Sequence, residues 1–286
     1  MTLVKGFLFL FACLFSVCVL AHEPQMNAES ENNVAKFSTI KNVNQAKESL
    51  TENSTKTATL SRVKYLADDG LMLSAQFYQG KENKPGVFLL HDCEHNSNNY
   101  RVLMSRFLQQ GFAVFAPDLR GYGESIAEHF SHAVIKTMIK DIASYKNEVA
   151  RINAYWDKDV ITGYNYFRSK INKLTKVSVI SSGCSAAQAV SLAEKMRINS
   201  FVMFTPKLNY LQKERFKNLI DMPIYFIDSQ YDTDSHLTTQ ELFEWNGDRF
   251  STYQTFKGIK QGHSLLNSKP FLPTTLSLWI EQVLRY

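Results

Sequence analysis

The sequence predicts an α/β fold in which a mostly parallel sheet carries helices on both faces. Apolar runs of strand length alternate along the chain with amphipathic segments of helical length. The runs "GVFLLH", "FAVFAP", "VSVIS", "SFVMFTP" and "MPIYFID" are continuously apolar, which is typical of strands that are covered on both faces. In such a sheet the ligands bind at the carboxyl ends of the strands.

The remaining elements follow in chain order. Two strands flank a turn at Asp68-Asp69-Gly70, and the second alternates in polarity, which favours a hairpin. Helical spacing appears in "NNYRVLMSRFLQQ", which Gly111 ends, and again in "KDVITGYNYFRSKI", "SAAQAVSLAEKM" and the closing "TTLSLWIEQVLRY". A last short strand is predicted at "TYQTF".

The segment 129–156 carries an apolar stripe at helical spacing, formed by Val134, Met138, Ile139, Ile142 and Tyr145. The stripe predicts a helix that packs on the sheet. A small cap insertion over the mouth of a pocket is the alternative.

Residues 1–21 have the features of a signal peptide. A single lysine precedes an unbroken apolar run, and Val19-Leu20-Ala21 stands before His22. A retained membrane anchor and a lipoprotein with Cys13 at its lipidation site remain alternatives. Residues 22–57 are polar and predict a disordered tether, which leaves 58–286 as the folded domain. We therefore expect an exported protein, periplasmic or secreted, with no stable membrane span after cleavage.

Charge and cysteine content narrow the function classes. The net charge is +5, and no basic cluster is interleaved with aromatic residues, so we expect no nucleic-acid partner. Of the four cysteines, Cys13 and Cys18 lie in the signal segment. Cys93 and Cys184 remain, and an even pair in an exported protein suggests a disulfide.

The stretch "HDCEH", residues 91–95, groups side chains of the types that bind metals. It lies at the end of a strand, where positions i and i+4 do not share a face. We therefore expect no metal site there, and we expect no cofactor.

Four stretches in order resemble the α/β-hydrolase family, in particular its small esterases and dienelactone-hydrolase-like members. "VFLLHDC" resembles the strand that ends in His-Gly, and "FAVFAPDLRGYGES" is similar to the family's "APDLRGxGxS". "IDSQYD" and "KQGHSLL" resemble the stretches that deliver the acid and the histidine. The resemblance covers residues 60–286 and implies the order elbow, acid, histidine.

The resemblance places the nucleophile elbow at "SSGCS", residues 181–185. Gly183 then takes the position of the serine nucleophile in GxSxG, so the elbow is degenerate. Glycine adopts the positive φ of an elbow without strain. In a shifted register, "GCSAA", Ser185 is the nucleophile. Ser182 or Cys184 would serve only in a deformed elbow.

The resemblance also supplies the other site residues. Asp232 is implied as the triad acid, with Asp228 and Asp234 as competitors, and a turn aspartate is the alternative. His263 is implied as the base, against a surface loop histidine. In an active enzyme, Asp232 would orient His263.

Cys93 and Cys184 are implied at the two oxyanion-hole positions, where Asp92 replaces the glycine of His-Gly. Residues whose amides converge on one oxygen are close enough for a disulfide. Such a bond would put sulfur where a tetrahedral intermediate must sit.

These features predict a pseudo-hydrolase with a binding or unidentified role and a small-molecule ligand or ester in its pocket. The alternative is an active hydrolase of small carboxylic esters that uses Ser185 (or Ser182), His263 and Asp232. A fold alone does not decide between them.

Overall fold

Eight strands form one sheet in the described part of the chain, residues 59–219 and 222–285 of a computed structural model. The signal peptide and the tether predicted over 1–57 lie outside the described residues. The strands are β1 (Ser61–Leu66), β2 (Met72–Tyr78), β3 (Gly86–Leu90), β4 (Ala113–Pro117), β5 (Val177–Ser182), β6 (Ser200–Phe204), β7 (Ile224–Ser229) and β8 (Thr252–Phe256).

The sheet has the order β1-β2-β4-β3-β5-β6-β7-β8. β1 pairs with β2 and β2 with β4 in antiparallel fashion, and every other neighbouring pair is parallel. The mostly parallel sheet is therefore confirmed. In register, Leu90 lies opposite Ser181, and Ser182 lies opposite Phe204. β3, β5 and β6 thus end at one edge of the sheet.

Helices cover both faces of this sheet, as the sequence predicts. The neighbouring residues Val114 and Phe115 of β4 enter different hydrophobic clusters, with Phe107 and Ile280 in the first and Phe167 in the second. The helices are α1 (Arg101–Gln109), α2 (His132–Met138), α3 (Ile142–Asn153), α4 (Trp156–Lys170), α5 (Ala186–Lys195), α6 (Tyr210–Lys217), α7 (Thr233–Trp245), α8 (Gly262–Asn267) and α9 (Leu272–Arg285). Short 3₁₀ turns span Ser97–Tyr100 and Gly183–Ser185.

The apolar stripe of segment 129–156 does not pack on the sheet, and that prediction is wrong. Val134, Met138 and Ile142 are 45%, 74% and 69% exposed. The segment forms the helices α2 and α3, and their buried apolar side chains are instead Ile135 and Ile152.

An interruption between the helices α2 and α3 explains the difference. Ile139 ends α2 in extended backbone, and Asp141 accepts a hydrogen bond from the amide of Ser144 as it begins α3. The helical spacing does not continue across residues 139–141, so the predicted stripe does not form one face.

Across residues 59–219 and 222–285 we find no helix with the length and apolar character that a bilayer crossing requires.

Candidate functional site

A cavity of about 280 Å³ lies at the carboxyl ends of the parallel strands. The loops that follow β3, β5, β6 and β8 form its walls, with residues 92–95, 183–184, 207, 259–262 and 264. This is the edge where an open α/β sheet binds ligands. None of these residues comes from segment 129–156.

A larger cavity of about 650 Å³ lies at the opposite edge, near Pro85, Thr175 and Lys176. Its lining includes the residues that precede the parallel strands β3 and β5, at the end of the strands away from the usual ligand site. The charged side chains there include the ion pair of Lys84 and Glu281. The smaller cavity is therefore the candidate site.

Gly183 occupies the turn between β5 and the helical segment that leads into α5. Its φ of 56° lies in the left-handed region, where glycine alone is free of strain. A Cβ atom placed on Gly183 would lie 3.4 Å from the Cβ atom of Asp92, which is ordinary van der Waals contact. Steric crowding therefore does not explain the glycine.

Ser185 is the last residue of the 3₁₀ turn and Ser182 precedes it, and neither lines the cavity. Ser185 is fully buried, and its hydroxyl oxygen lies 3.2 Å from the carbonyl oxygen of Leu90 and 3.0 Å from that of Ser182. The same oxygen accepts the amide of Ser182 at 3.1 Å. This hydroxyl caps the turn rather than pointing towards a substrate.

The carboxylate of Asp92 gathers several donors at the end of β3. The ring of His95 donates from Nδ1 to Oδ1 at 2.6 Å, and the amide of Glu94 donates to the same oxygen at 3.1 Å. Oδ2 receives the hydroxyl of Tyr100 at 3.0 Å and the amide of His263 at 3.1 Å. Burial alone would raise the pKa of Asp92, but these hydrogen bonds and the nearby His95 hold it below its ordinary value.

His263 lies in the first turn of α8 rather than in a loop. Its ring centroid is 4.4 Å from that of His95, and its Nε2 accepts a hydrogen bond from Asn267 at 2.9 Å. Nε2 is the atom that takes the nucleophile's proton in a Ser-His-Asp triad. Burial lowers the pKa of His263, and the neighbouring His95 adds to the effect.

Asp232 precedes α7 and makes no capping hydrogen bond with its side chain. Its Oδ2 atom is buried and has no hydrogen-bond partner among the described residues. Burial raises its pKa, although Lys207 opposes the shift. The described contacts of His263 do not include Asp232, so the structure does not join the implied acid to the implied base.

Asp228, the competing acid, belongs to a different cluster. It is fully buried on β7, and its Oδ2 lies 3.1 Å from Nδ1 of His236 and 3.1 Å from the hydroxyl of Tyr253. The hydroxyl oxygen of Tyr253 in turn lies 2.9 Å from Nδ1 of His236. The sequence does not predict this cluster of Asp228, His236 and Tyr253, because its members are 8 and 17 residues apart and match no motif.

The predicted disulfide is present. Cys93 and Cys184 are bonded, with their Cα atoms 5.9 Å apart. Both residues are half-buried and line the cavity. The bond links the residue after Asp92 to the residue after Gly183, which ties the end of β3 to the start of the helical segment.

The two histidines of the stretch "HDCEH" lie in different environments. His91 is fully buried, and its Nε2 accepts the amide of Leu119 at 2.9 Å. His95 instead faces the cavity. Among residues 59–219 and 222–285, no group of three or more His, Cys, Asp or Glu side chains is arranged to hold a metal ion.

Comparison with known proteins supports the fold. The family model of the S33 serine aminopeptidases matches residues 81–162, from the loop before β3 into α4. The match ends before Gly183, Asp232 and His263. A search of curated proteins finds no match.

Solved structures resemble the chain over most of its length. A Pyrococcus furiosus esterase, Pf2001, is 17% identical with a TM-score of 0.57, over 79% of this chain and 94% of that one. A dienelactone hydrolase from Anabaena variabilis is 12% identical with a TM-score of 0.53, over 79% and 96%. A putative α/β hydrolase from Agrobacterium tumefaciens is 16% identical with a TM-score of 0.58, over 79% and 97%. The chain is therefore an α/β-hydrolase-fold protein.

Proposed function

We propose that this chain is an exported pseudo-hydrolase that binds a small molecule or ester in its cavity without cleaving it. The observation that supports the proposal is the positive φ of Gly183, 56°, in the turn after β5, where the resemblance places the nucleophile. A serine there would have to bear a backbone strain of about 1–3 kcal/mol in order to present its hydroxyl. Gly183 has no hydroxyl to present and carries no such strain.

The neighbouring hydroxyls support the same conclusion. Ser185 holds the backbone at Leu90 and Ser182, and removal of its hydroxyl from those partners would leave buried polar groups unsatisfied. Its Oγ is therefore held by hydrogen bonds to the backbone and does not line the cavity.

The described contacts of His263 also support the proposal. A general base needs its proton-accepting nitrogen directed at the nucleophile and its other nitrogen oriented by the acid. Nε2 of His263 is occupied by Asn267, and Asp232 is absent from the described contacts of that ring.

Charge and size favour a small polar ligand. The walls combine Asp92 and Glu94 with Lys207 and Lys260, and the volume lies at the lower limit of about 300 Å³ for small-molecule sites. A ligand that carries both a positively and a negatively charged group fits such walls better than an apolar chain does.

Export is part of the proposal. It rests on the signal-like residues 1–21 and on the disulfide between Cys93 and Cys184, since disulfides persist in oxidising compartments. The periplasm and the exterior of the cell are both such compartments.

The second candidate is an active hydrolase of small carboxylic esters with Ser185 (or Ser182), His263 and Asp232. The matched serine aminopeptidase family and the esterase neighbours favour it. It requires α8 and the 3₁₀ turn to rearrange so that Ser185 reaches the cavity.

An acyl-ester assay separates the two candidates. We expect purified protein to give neither a burst nor turnover with p-nitrophenyl acetate and butyrate above the rate of a Ser185→Ala variant. A burst that Ser185→Ala abolishes would establish the second candidate. Native mass spectrometry with the corresponding methyl esters tests binding, and an absence of any bound ester would remove the ester from the proposed ligands.

A further inference from the structure

The cavity holds a disulfide and an acid–base pair side by side. Cys93 and Cys184 are half-buried in its wall, and His95 lines the same space. A disulfide reacts with a thiolate when the thiolate can reach one of its sulfur atoms. Access from a cavity therefore distinguishes this bond from a staple that is sealed inside a core.

We propose that Cys93–Cys184 is a thiol-reactive disulfide that oxidises small thiols. His95 is the general base that takes the proton of the incoming thiol. Asp92 is a positioning residue that fixes the orientation of His95. This activity goes beyond the proposed ligand binding and does not depend on it.

The hydrogen bonds at Asp92 define the tautomer of His95. An ionised carboxylate only accepts hydrogen bonds, so Nδ1 of His95 carries the proton that points to Oδ1 at 2.6 Å. In the neutral ring, Nε2 then has a free lone pair. The amides of Glu94 and His263 and the hydroxyl of Tyr100 fix the carboxylate itself.

The position of Cys184 just before α5 determines which sulfur atom is the leaving group. Cys184 lies in the 3₁₀ turn Gly183–Ser185, which runs directly into the ten-residue helix α5. A helix N-terminus stabilises a thiolate and lowers its pKa. Because the sulfur of lower pKa leaves faster, the incoming thiolate attacks Cys93 and displaces Cys184.

The reaction balances as two thiol–disulfide exchanges. The first thiol gives its proton to His95, and its sulfur bonds to Sγ of Cys93 as the bond to Sγ of Cys184 breaks. The electron pair stays on Cys184, which takes the proton from His95. A second thiol repeats the step at the mixed disulfide, so that a small disulfide leaves and Cys93 becomes a thiol. The two thiols lose two electrons, and the protein gains them.

The walls favour small, acidic thiols. The charged and titratable groups around His95 come from several loops: Asp92 and Glu94 after β3, Lys207 after β6, Lys260 after β8 and His263 in α8. The two lysines are exposed and attract a carboxylate or a thiolate. A volume of about 280 Å³ excludes a folded protein chain but admits a short peptide thiol.

The first test uses glutathione as the probe on oxidised, purified protein in native buffer. Alkylation of the new thiols followed by intact-mass measurement gives the rate. We expect reduction at a rate proportional to glutathione concentration, and a mixed disulfide that peptide mapping places on Cys93. A rate that is independent of glutathione would mean that global unfolding limits the reaction, and it would overturn the proposal, as would a mixed disulfide on Cys184.

The second test compares His95→Asn with His129→Asn. Asparagine keeps a donor near the position of Nδ1 and removes the base at Nε2, while His129 is exposed and lies outside the cavity. A thiol with a pKa of about 8.5 is about 3% ionised at pH 7, so a base can accelerate attack by at most about thirtyfold.

We expect His95→Asn to react up to about thirtyfold more slowly at pH 7 and at the wild-type rate above about pH 10, where the thiol ionises without help. His129→Asn should match wild type at every pH. An His95→Asn variant that reacts like wild type at pH 7, or one that is slowed equally at all pH values, would remove His95 from the mechanism. Circular dichroism of each variant establishes that it is folded.

Discussion

The Nδ1 atom of His95 lies 2.6 Å from Oδ1 of Asp92, so two residues three apart in the chain form an acid–base pair at the edge of the cavity. The same carboxylate receives the amide of His263 at 3.1 Å, which connects the end of β3 to α8. Asp92 stands where the family resemblance implies a glycine. The side chain of Asp92 therefore forms a network of hydrogen bonds in the space that a glycine would leave open.

Asp92→Asn should destabilise the protein by about 1–2 kcal/mol at pH 7, because an amide NH₂ then faces groups that donate. The pKa of Asp92 is lowered in the folded protein. Its stabilisation is therefore complete above the unfolded pKa of about 3.9 and is lost as the pH falls through the folded value. Urea unfolding at pH 7 and at about pH 3 should show a difference between wild type and variant that shrinks at the lower pH.

Glu94→Gln is the control for this experiment. Glu94 is the neighbouring exposed acid in the same loop, and its removal should change stability by no more than about 0.5 kcal/mol. An equal loss in both variants would assign the effect to net charge. A difference that stays constant with pH would show that the Asp92 carboxylate does not titrate as described.

Gly262→Ala should lower the stability of the protein more than Gly70→Ala. Both residues have positive φ, 45° and 84°. A Cβ atom on Gly262 would meet Oδ2 of Asp92 and lie 2.7 Å from Oγ of Ser182, whereas one on Gly70 would have no neighbour within 4 Å. We expect Gly262→Ala to lose about 1–3 kcal/mol beyond the loss at Gly70, measured by urea unfolding.

Combination with Asp92→Gly tests the cause of that loss. If Oδ2 of Asp92 is the obstacle, its removal relieves the strain, and the double variant loses less than the sum of the single losses. Strict additivity would place the obstacle elsewhere.

Gly183→Ser should fold with a loss of about 1–3 kcal/mol from strained backbone, and it should gain no esterase activity. The added Cβ atom has room beside Asp92, but Nε2 of His263 still accepts a hydrogen bond from Asn267. Gly70→Ser, at a φ of 84° with no neighbour within 4 Å, should show a similar loss from strain alone. Ester turnover by Gly183→Ser would mean that the nucleophile was the only missing part of the site.

The core strands were predictable because they are covered on both faces. In such a fold, a continuous apolar run is stable as a strand that is covered on both faces, and β3 to β7 are fully buried strands of this kind. The disulfide was predictable from two cysteines that lie outside the predicted signal segment and from the implied convergence of the strand ends. These inferences depend on local composition and on the order of elements.

The polar contacts of the site were not predictable from the same signals. The orientation of His263 depends on α8, which brings its ring to 4.4 Å from that of His95. The pairing of Asp92 with His95 depends on how the loop after β3 folds back. The only signal for it in the sequence is the aspartate at the implied glycine position, and this signal identifies the site of the change but not the partner.

Two isoleucines of α3 provide the sharpest test of how segment 129–156 lies on the domain. Ile152 is fully buried and Ile142 is 69% exposed, although they belong to one helix and have the same side chain. Ile152→Ala should cost about 2–5 kcal/mol, because a buried cavity replaces its methyl and methylene groups. Ile142→Ala should stay within about 0.5 kcal/mol of wild type in the same urea titration. Equal losses would mean that a surface covers Ile142 in solution, and they would restore the prediction that the apolar stripe packs against the rest of the domain.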